Sequence, residues 1–482
     1  MSKPITRLFV VIVLLFALLV AWTSRWTVFG ADSLRDDPND KRQLFAALRV
    51  KRGAIKADDG TVLARSVRAP GGTWRRDYPT GSLFGHPIGY AKLLTGELSG
   101  LERSRNDELS GTTSELNSIL DQLQGKRRAG NTVVTTLDPT AQRVATQALQ
   151  ATGENGAVVA LDPRTGAVKT LVSSPGYDPN LVNGRDGLAP LNNDPSAPLL
   201  DRVTQGAYPP GSTFKVVTAA AALNSGAISS PDAVALNGDS PATISGVPLR
   251  NDDGLSRGPI SLTTALTYSV NTAFARLGER LGKRTMADYM RRFGFYALPP
   301  LDYPDDQMIA SGERGPNGRL IPVASPRVDL GRMAIGQDKL LVTPIQMAMV
   351  AAAVANGGKL MAPHLTDKIV DPDGRTIKTI KPEQYSQPIS ARTASELTTM
   401  MGHVVEEGTG TAVQLPGIDV AGKTGTAEIN IAQGINQPWF IAFAPANNPQ
   451  IAIAVTVEHS IHGFGGTVAA PIARQVLLSL LR

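Results

Sequence analysis

Apolar and polar positions divide this chain into segments of different character. Near the start, Lys3 and Arg7 precede an unbroken apolar run, LFVVIVLLFALLVAW, from Leu8 to Trp22. That run falls short of the roughly 20 residues a spanning helix needs. Extension through Thr23 and Ser24, with Arg25 reaching to the interface and Trp22 and Trp26 as interfacial anchors, makes up the difference. A cleaved signal peptide is the rival, but neither AWTSRW nor VFGAD offers a clean small-residue cleavage site. The segment is expected to be an uncleaved signal-anchor, with Lys3 and Arg7 inside and the bulk of the chain outside. Arg25 and Arg35 on the far side weaken that charge asymmetry.

Beyond the apolar run, residues 31–50 are charged (DSLRDDPNDKRQ) and read as a juxtamembrane linker or helix. Residues 51–135 are punctuated by glycine, with short strand-like pieces and a helix expected near TSELNSILDQL. Asp59-Gly60 is a hairpin signal. From residue 136 the pattern becomes regular. Asp138 is a natural N-cap with Pro139 at the first helical position, and Ala141, Val144, Ala145, Ala148 and Leu149 repeat at helical spacing. GAVVAL, the turn DPRTG and AVKTLVSS predict a hairpin. GTGTAV, KTGTAEI, WFIAFA and IAIAVTV predict further strands, and AAPIARQVLLSLL a closing helix. Strands, a helical insertion, more strands and a final helix suit an α+β sheet covered by helices.

Composition changes this picture little. The chain has 482 residues and 42% hydrophobic content, enough for two or three domains and a large core. It has no cysteine, which excludes a disulfide framework and thiol chemistry. The formal charge of +6 is modest for this length. With five histidines, metal sites are thinly supported, and His459 and His462 are expected in a surface loop.

Candidate chemistry lies in three strings: GSTFK (211–215), SVN (269–271) and KTGT (423–426). Each alone is a weak signal; all three in this order are the pattern of serine acyl-enzymes. A serine hydroxyl needs a neighbouring base to become a nucleophile. A helix starting near Ser212 puts Lys215 on the same face. Pro209, Pro210 and Gly211 stiffen the chain before it, FKVVTAAAALNSG is apolar and alanine-rich, and Gly226 is a natural stop. A buried lysine has a lowered pKa and serves as a base. Ser269 and Asn271 point the same way in an extended or turn segment, although PISLTTALTYSVNTAFARLGERLG also reads as helix-rich. On a strand, Thr424 and Thr426 share one face, Gly425 leaves room for substrate against the backbone, and Lys423 supplies charge.

Gly417 to Thr424 also matches a phosphate-binding loop, G-x-x-x-x-G-K-T. That loop needs a helix starting at the lysine. TGTAEIN has no helical period, and Asp419 would put negative charge into an anion cradle. The nucleotide reading is set aside.

The three strings and their surroundings resemble class B penicillin-binding proteins, the monofunctional D,D-transpeptidases of peptidoglycan synthesis, and among them the penicillin-binding protein A type of actinobacteria. The resemblance covers nearly the whole chain. It is carried by RGAIKADDGTVLA (52–64), YPTGSLFGHPIGY (78–90), GLERSRNDELSG (100–111), YPPGSTFK (208–215), IGQDKLLVTPIQMA (335–348), GTGTA (408–412), AGKTGTAE (421–428) and PWFIAFAPA (438–446). Where the family shows Asn-Arg-Ala, this chain has Asp201-Arg202-Val203, which puts a local hydrogen bond in question.

The resemblance implies a membrane anchor (1–30), a small non-catalytic pedestal (31–150) and a β-lactamase-like penicillin-binding domain (151–482) with a central antiparallel sheet covered by helices. It implies Ser212 as acylated nucleophile, Lys215 as base, Ser269 as proton relay, Asn271 as holder of the substrate amide, and Lys423 as a charge acting on Ser269. Thr424 and Thr426, with Gly425 between them, would bind the terminal carboxylate. The backbone N–H groups of Ser212 and Thr426 would form the oxyanion hole. An Arg52–Glu102 ion pair is implied in the pedestal. No metal, nucleotide or other cofactor is implied. Expected ligands are stem peptides ending in D-alanyl-D-alanine, and β-lactams that mimic them. The sequence leaves no stretch for a glycosyltransferase, so a multi-spanning glycan polymerase is the expected partner, docked on the pedestal. A D,D-carboxypeptidase or β-lactamase, and a penicillin-binding scaffold or sensor, stay open as alternatives.

Overall fold

The structure, a computed structural model, describes residues 3–25, 48–111, 129–184 and 187–481. The expected helix near TSELNSILDQL, the linker up to residue 47 and the Trp26 anchor lie outside them. Helix α1, Lys3–Ser24, is 22 residues long, buries no side chain and is apolar enough to cross a membrane.

The next strands are β1 (Ile55–Lys56), β2 (Val62–Arg68), β3 (Trp74–Asp77) and β4 (Thr132–Thr135). Gly60, with φ +89, turns β1 into β2 as the Asp-Gly pair predicts, and Asp59 Oδ1 accepts from Thr61 N at 2.8 Å. β4 runs parallel to β1, with Ile55 opposite Val133. Under this sheet lies a buried ion cluster. Glu102 accepts from Arg52 Nε at 2.6 Å, as expected, and from Arg76 Nε at 2.5 Å, which the sequence did not signal.

Helix α2, Pro139–Gln150, starts as predicted: Asp138 Oδ1 accepts from Thr140 N at 2.8 Å and Ala141 N at 2.9 Å. Strands β5 (Gly156–Leu161) and β6 (Val168–Ser174) form the predicted hairpin. Helices α3 (Lys215–Asn224), α4 (Leu262–Thr267), α5 (Asn271–Arg292) and α6 (Pro344–Ala355) follow. Strands β7 (Thr366–Val370) and β8 (Thr376–Thr379) return to the first sheet, with Ile369 opposite Val133. The order there is β8-β7-β4-β1-β2-β3.

Helix α7 (Ala391–Glu406), strands β9 (Ala421–Asn430), β10 (Ile435–Ala444) and β11 (Ile451–Val457), and helix α8 (Ala470–Leu480) complete the described chain. The second sheet has the order β9-β10-β11-β5-β6, all antiparallel. Alternate residues serve opposite faces, as the period of a strand demands. Trp439, Ile441 and Phe443 join the core that holds α6, while Phe440, Ala442 and Ala444 join the core that holds α2 and α8. Both faces are covered, which is why these strands read as near-continuous apolar runs, and the architecture is the expected α+β one. GTGTAV is not a strand. Gly408 N bonds to His403 O and Gly410 N to Val404 O, so these glycines close α7, and residues 411–413 form a 3-10 turn.

Candidate active site

The segment before Ser212 is held on several sides. Tyr208 and Val342 exchange backbone bonds of 3.0 and 2.8 Å. The Trp439 indole donates to Pro209 O at 2.9 Å. Gly211 has φ +54, its N–H donates to Gly336 O at 2.9 Å, and a Cβ on it would lie 2.7 Å from Thr426 O. Glycine is required there on both counts. Ser212 sits in a 3-10 turn, Gly211–Phe214, that feeds into α3, a helix buried from Lys215 to Leu223. Gly226, with φ +76, follows its end as expected.

The departure at Asp201-Arg202-Val203 is accommodated. Arg202 Nε donates to Glu458 Oε1 at 2.9 Å, and the Tyr208 hydroxyl donates to the same oxygen. Asp201 Oδ1 accepts from Val203 N at 3.0 Å, while its buried Oδ2 has no hydrogen-bond partner among the described residues. Burial raises the Asp201 carboxyl pKa, opposed by neighbouring His86.

The second string joins two helices. Ser269 follows α4 with φ +57, an uncommon conformation for a residue with a Cβ. Ser269 N donates to Leu266 O at 3.2 Å and Val270 N to Ala265 O at 2.9 Å, which fixes the turn. Asn271 then opens α5. Of the two conformations open to Ser269, the turn is the one adopted.

The third string lies on β9, the edge strand of the second sheet. No helix begins at Lys423, so the phosphate-loop match has no structural basis. Thr424 and Thr426 share a face. Thr424 Oγ1 lies 2.5 Å from Thr409 Oγ1, and Thr426 Oγ1 accepts from Gly465 N at 3.2 Å. On the side of Gly425 where a side chain would stand, the space is filled by protein. A Cβ there would lie 2.7 Å from Pro210 O, 2.9 Å from Thr213 Cγ2 and 3.0 Å from Trp439 Cβ. It is the turn carrying Ser212 that approaches so closely.

These elements bring the predicted polar groups together. Lys215 Nζ donates to Asn271 Oδ1 at 2.6 Å, Ser269 O at 2.7 Å and Ser269 Oγ at 3.2 Å. Lys423 Nζ reaches the same Ser269 Oγ at 3.1 Å and Thr424 O at 3.0 Å. Contrary to the simplest reading of the i, i+3 spacing, Lys215 makes no hydrogen bond to Ser212. Ser212 is 7% exposed, and its hydroxyl has no hydrogen-bond partner among the described residues. Two residues of the site were not among those expected from the sequence: Thr409, on Thr424, and Asp252, whose Oδ1 accepts from Asn271 Nδ2 at 2.7 Å.

Both lysines are fully buried, and burial disfavours a charged amine. Burial lowers the Lys215 pKa to about 7, with Asp252 opposing. Lys423 is held well below the usual lysine value, by burial first and then by the charge of Lys215. The site thus holds an unpartnered serine hydroxyl, an amine that is half neutral near pH 7, and a second hydroxyl bridging two amines. Such a set suits acyl transfer. His459 and His462 are exposed, on either side of the two-residue strand Ser460–Ile461.

Comparison with known proteins agrees with this geometry. The family model "Penicillin binding protein transpeptidase domain" matches residues 156–478, and "Penicillin binding protein A dimerisation domain" matches residues 52–133. Peptidoglycan D,D-transpeptidase PbpA of Mycolicibacterium smegmatis is 37% identical, over 100% of this chain and 99% of that protein. PbpA of Mycobacterium tuberculosis is 35% identical, again over 100% of this chain and 99% of that protein. The solved structure of penicillin-binding protein A from M. tuberculosis as a ceftriaxone acyl-enzyme superposes with a TM-score of 0.81 at 34% identity, covering 91% of this chain and 100% of that one. The chain belongs to the penicillin-binding protein transpeptidase family.

Proposed function

We propose that this protein is a serine D,D-transpeptidase that cross-links peptidoglycan stem peptides through an acyl-enzyme on Ser212. The observation that carries this reading is Ser269 Oγ, 3.2 Å from one buried lysine amine and 3.1 Å from another. Neutral Lys215 takes the Ser212 proton as Oγ attacks the carbonyl carbon between the two terminal D-alanines. The N–H groups of Ser212 and Thr426 receive the oxyanion where charge develops. The C–N bond breaks, and Ser269 passes a proton to the leaving D-alanine amine, with Lys423 steadying that hydroxyl. Asn271 holds the substrate amide, and Thr424 and Thr426, beside Gly425, bind the terminal carboxylate. An amine from a neighbouring stem peptide then attacks the ester, forms the cross-link and restores Ser212. β-Lactams acylate the same oxygen.

The chain divides, on this reading, into an anchor (1–30), a pedestal (31–150) and a transpeptidase domain (151–482), with β7–β8 returning to the pedestal sheet. Helix α1 spans the membrane once, with Lys3 and Arg7 in the cytoplasm and the catalytic domain outside. The pedestal docks a multi-spanning glycan polymerase.

Intact-mass measurement on the full-length chain with benzylpenicillin tests the chemistry. The expected result is a stable one-drug adduct on the wild type and none on Ser212→Ala. No adduct with hydrolysed drug would mark a β-lactamase-type hydrolase, and no adduct with intact drug a scaffold. On a stem-peptide substrate, D-alanine release with a cross-linked dimer is expected. Release with only the shortened peptide would mark a carboxypeptidase.

A further inference from the structure

An asparagine amide has two donor hydrogens and one acceptor oxygen. In Asn271 all three are engaged. Oδ1 accepts from Lys215 Nζ at 2.6 Å, while Nδ2 donates to Asp252 Oδ1 at 2.7 Å and to Arg250 O at 3.3 Å. The amide that is to hold the substrate therefore has no donor left for it. Its shorter bond goes to a carboxylate, a stronger acceptor than a peptide carbonyl.

The loop carrying Asp252 is anchored on one side and open on the other. Asn251, just before it, is buried: its Nδ2 donates to Leu255 O at 2.8 Å and Gly238 O at 3.2 Å, and its Oδ1 accepts from Thr272 N at 3.0 Å. Farther along, Arg257 bonds to Asp253 at 2.5 Å and stacks on Tyr268, 5.4 Å from the ring centroid and next to Ser269. Between these two fixed points Asp252 is exposed. A swing of its carboxylate to water would break no other side-chain bond, because Asn271 is its one hydrogen-bond partner among the described residues.

We infer that Asp252 occupies the amide-recognition end of Asn271 in the resting site and is displaced by the acylamino carbonyl of the incoming donor, so that it sets specificity by competition. This rests on the proposed function of Asn271. A ligand that presents a carbonyl to Nδ2 must displace a charge-assisted hydrogen bond, and one without such a carbonyl need not. Asp252 thereby lowers the advantage of acylamino ligands over others, and an exposed carboxylate makes the exchange reversible.

Two β-lactams separate this role from simple support. Benzylpenicillin carries an acylamino carbonyl beside the reactive ring; imipenem carries a hydroxyethyl group there instead. Second-order acylation rate constants for both drugs would be measured on the full-length wild type, Asp252→Ala and Asp252→Asn. The expected result is a benzylpenicillin-to-imipenem ratio that rises roughly 3- to 10-fold in Asp252→Ala, the scale of one hydrogen bond to a charged group exchanged for one to water. Asp252→Asn, which keeps a neutral acceptor, gives a smaller rise in the same direction, and supplies the comparison if the alanine variant does not fold. Changes in lysine charge or loop stability alter both rates together and leave the ratio fixed. An unchanged or lowered ratio, with the wild type acylated, would overturn the role of Asp252 and leave the proposed function standing. Failure of both drugs on the wild type would overturn both.

Discussion

Lys423 Nζ and Ser269 Oγ are 3.1 Å apart although they stand 154 residues apart in sequence. The contact joins the edge strand β9 to the turn between α4 and α5. Lys215 Nζ lies 3.2 Å from the same oxygen, so among the described residues Ser269 is the one hydroxyl on which the two buried amines meet. Ser269→Ala removes that bridge and leaves the Lys215–Asn271 bond in place. Acylation by benzylpenicillin should fall by roughly 10²- to 10⁴-fold, the usual range for a proton-transfer group, while the melting temperature changes little. A variant that acylates at the wild-type rate would remove Ser269 from the proton path.

A lysine works as a base only in its neutral form. With burial bringing Lys215 to about 7, acylation should fall about tenfold per pH unit well below pH 7 and level off above it. Rates from pH 5.5 to 9, followed by time-resolved intact mass, would show this limb. Lys215→Arg, which stays charged throughout, should lose acylation across the range. A wild-type profile flat down to pH 5.5 would mean that Lys215 is not the base.

Much of this was legible in the sequence because it is local. The Asp138-Pro139 cap, the Asp59-Gly60 turn and the hairpin around DPRTG depend on a few neighbouring residues. The three catalytic strings are read as strings because each holds its groups within a few neighbouring residues. Partners distant in sequence were illegible. Nothing in TDKIV or TIKT indicates that β7 pairs with β4, since the pattern records which face is apolar and not which edge is met. Nothing in TWRRD marks Arg76 as a partner of Glu102. Asp252 in NDDG has the composition of a solvated turn, and only the fold brings it to Asn271. GTGTAV, expected as a strand, instead ends a helix, because the backbone N–H groups of Gly408 and Gly410 bond back to His403 O and Val404 O.

Glu102 provides a test of stability apart from the chemistry. Burial alone would raise its pKa, but Arg76 and Arg52 outweigh burial and hold the carboxyl below its usual value. Its contribution is therefore present above the unfolded carboxyl pKa and is lost as pH falls through the lower folded one. Glu102→Gln leaves two buried guanidinium groups without their counter-charge and should cost about 3–5 kcal/mol. The melting-temperature gap between wild type and variant should be wide at pH 7 and close as pH falls below that of an ordinary carboxyl group. A gap that stays constant with pH would mean that Glu102 contributes by packing and not by charge.

Gly425 connects packing to chemistry most directly. The nearest atoms to a Cβ there belong to Pro210, Thr213 and Trp439, at 2.7 to 3.0 Å. Two of these residues flank Ser212, and the third holds Pro209 through its indole. Gly425→Ala must push the nucleophile turn off the edge of the sheet. Overpacking of this kind costs about 1–3 kcal/mol, and a shift near 1 Å at a reacting atom lowers a rate by roughly 10²-fold. Gly402, within α7, is the control: the nearest atom to a Cβ there, besides the helix backbone, is Oε1 of Glu406 in the same helix, at 4.0 Å. Gly402→Ala should raise the melting temperature slightly, since alanine is favoured over glycine by about 1 kcal/mol in a helix, and leave acylation unchanged. If Gly425→Ala were acylated as fast as Gly402→Ala, the turn would have room to spare, and the close approach at Gly425 would not position the nucleophile.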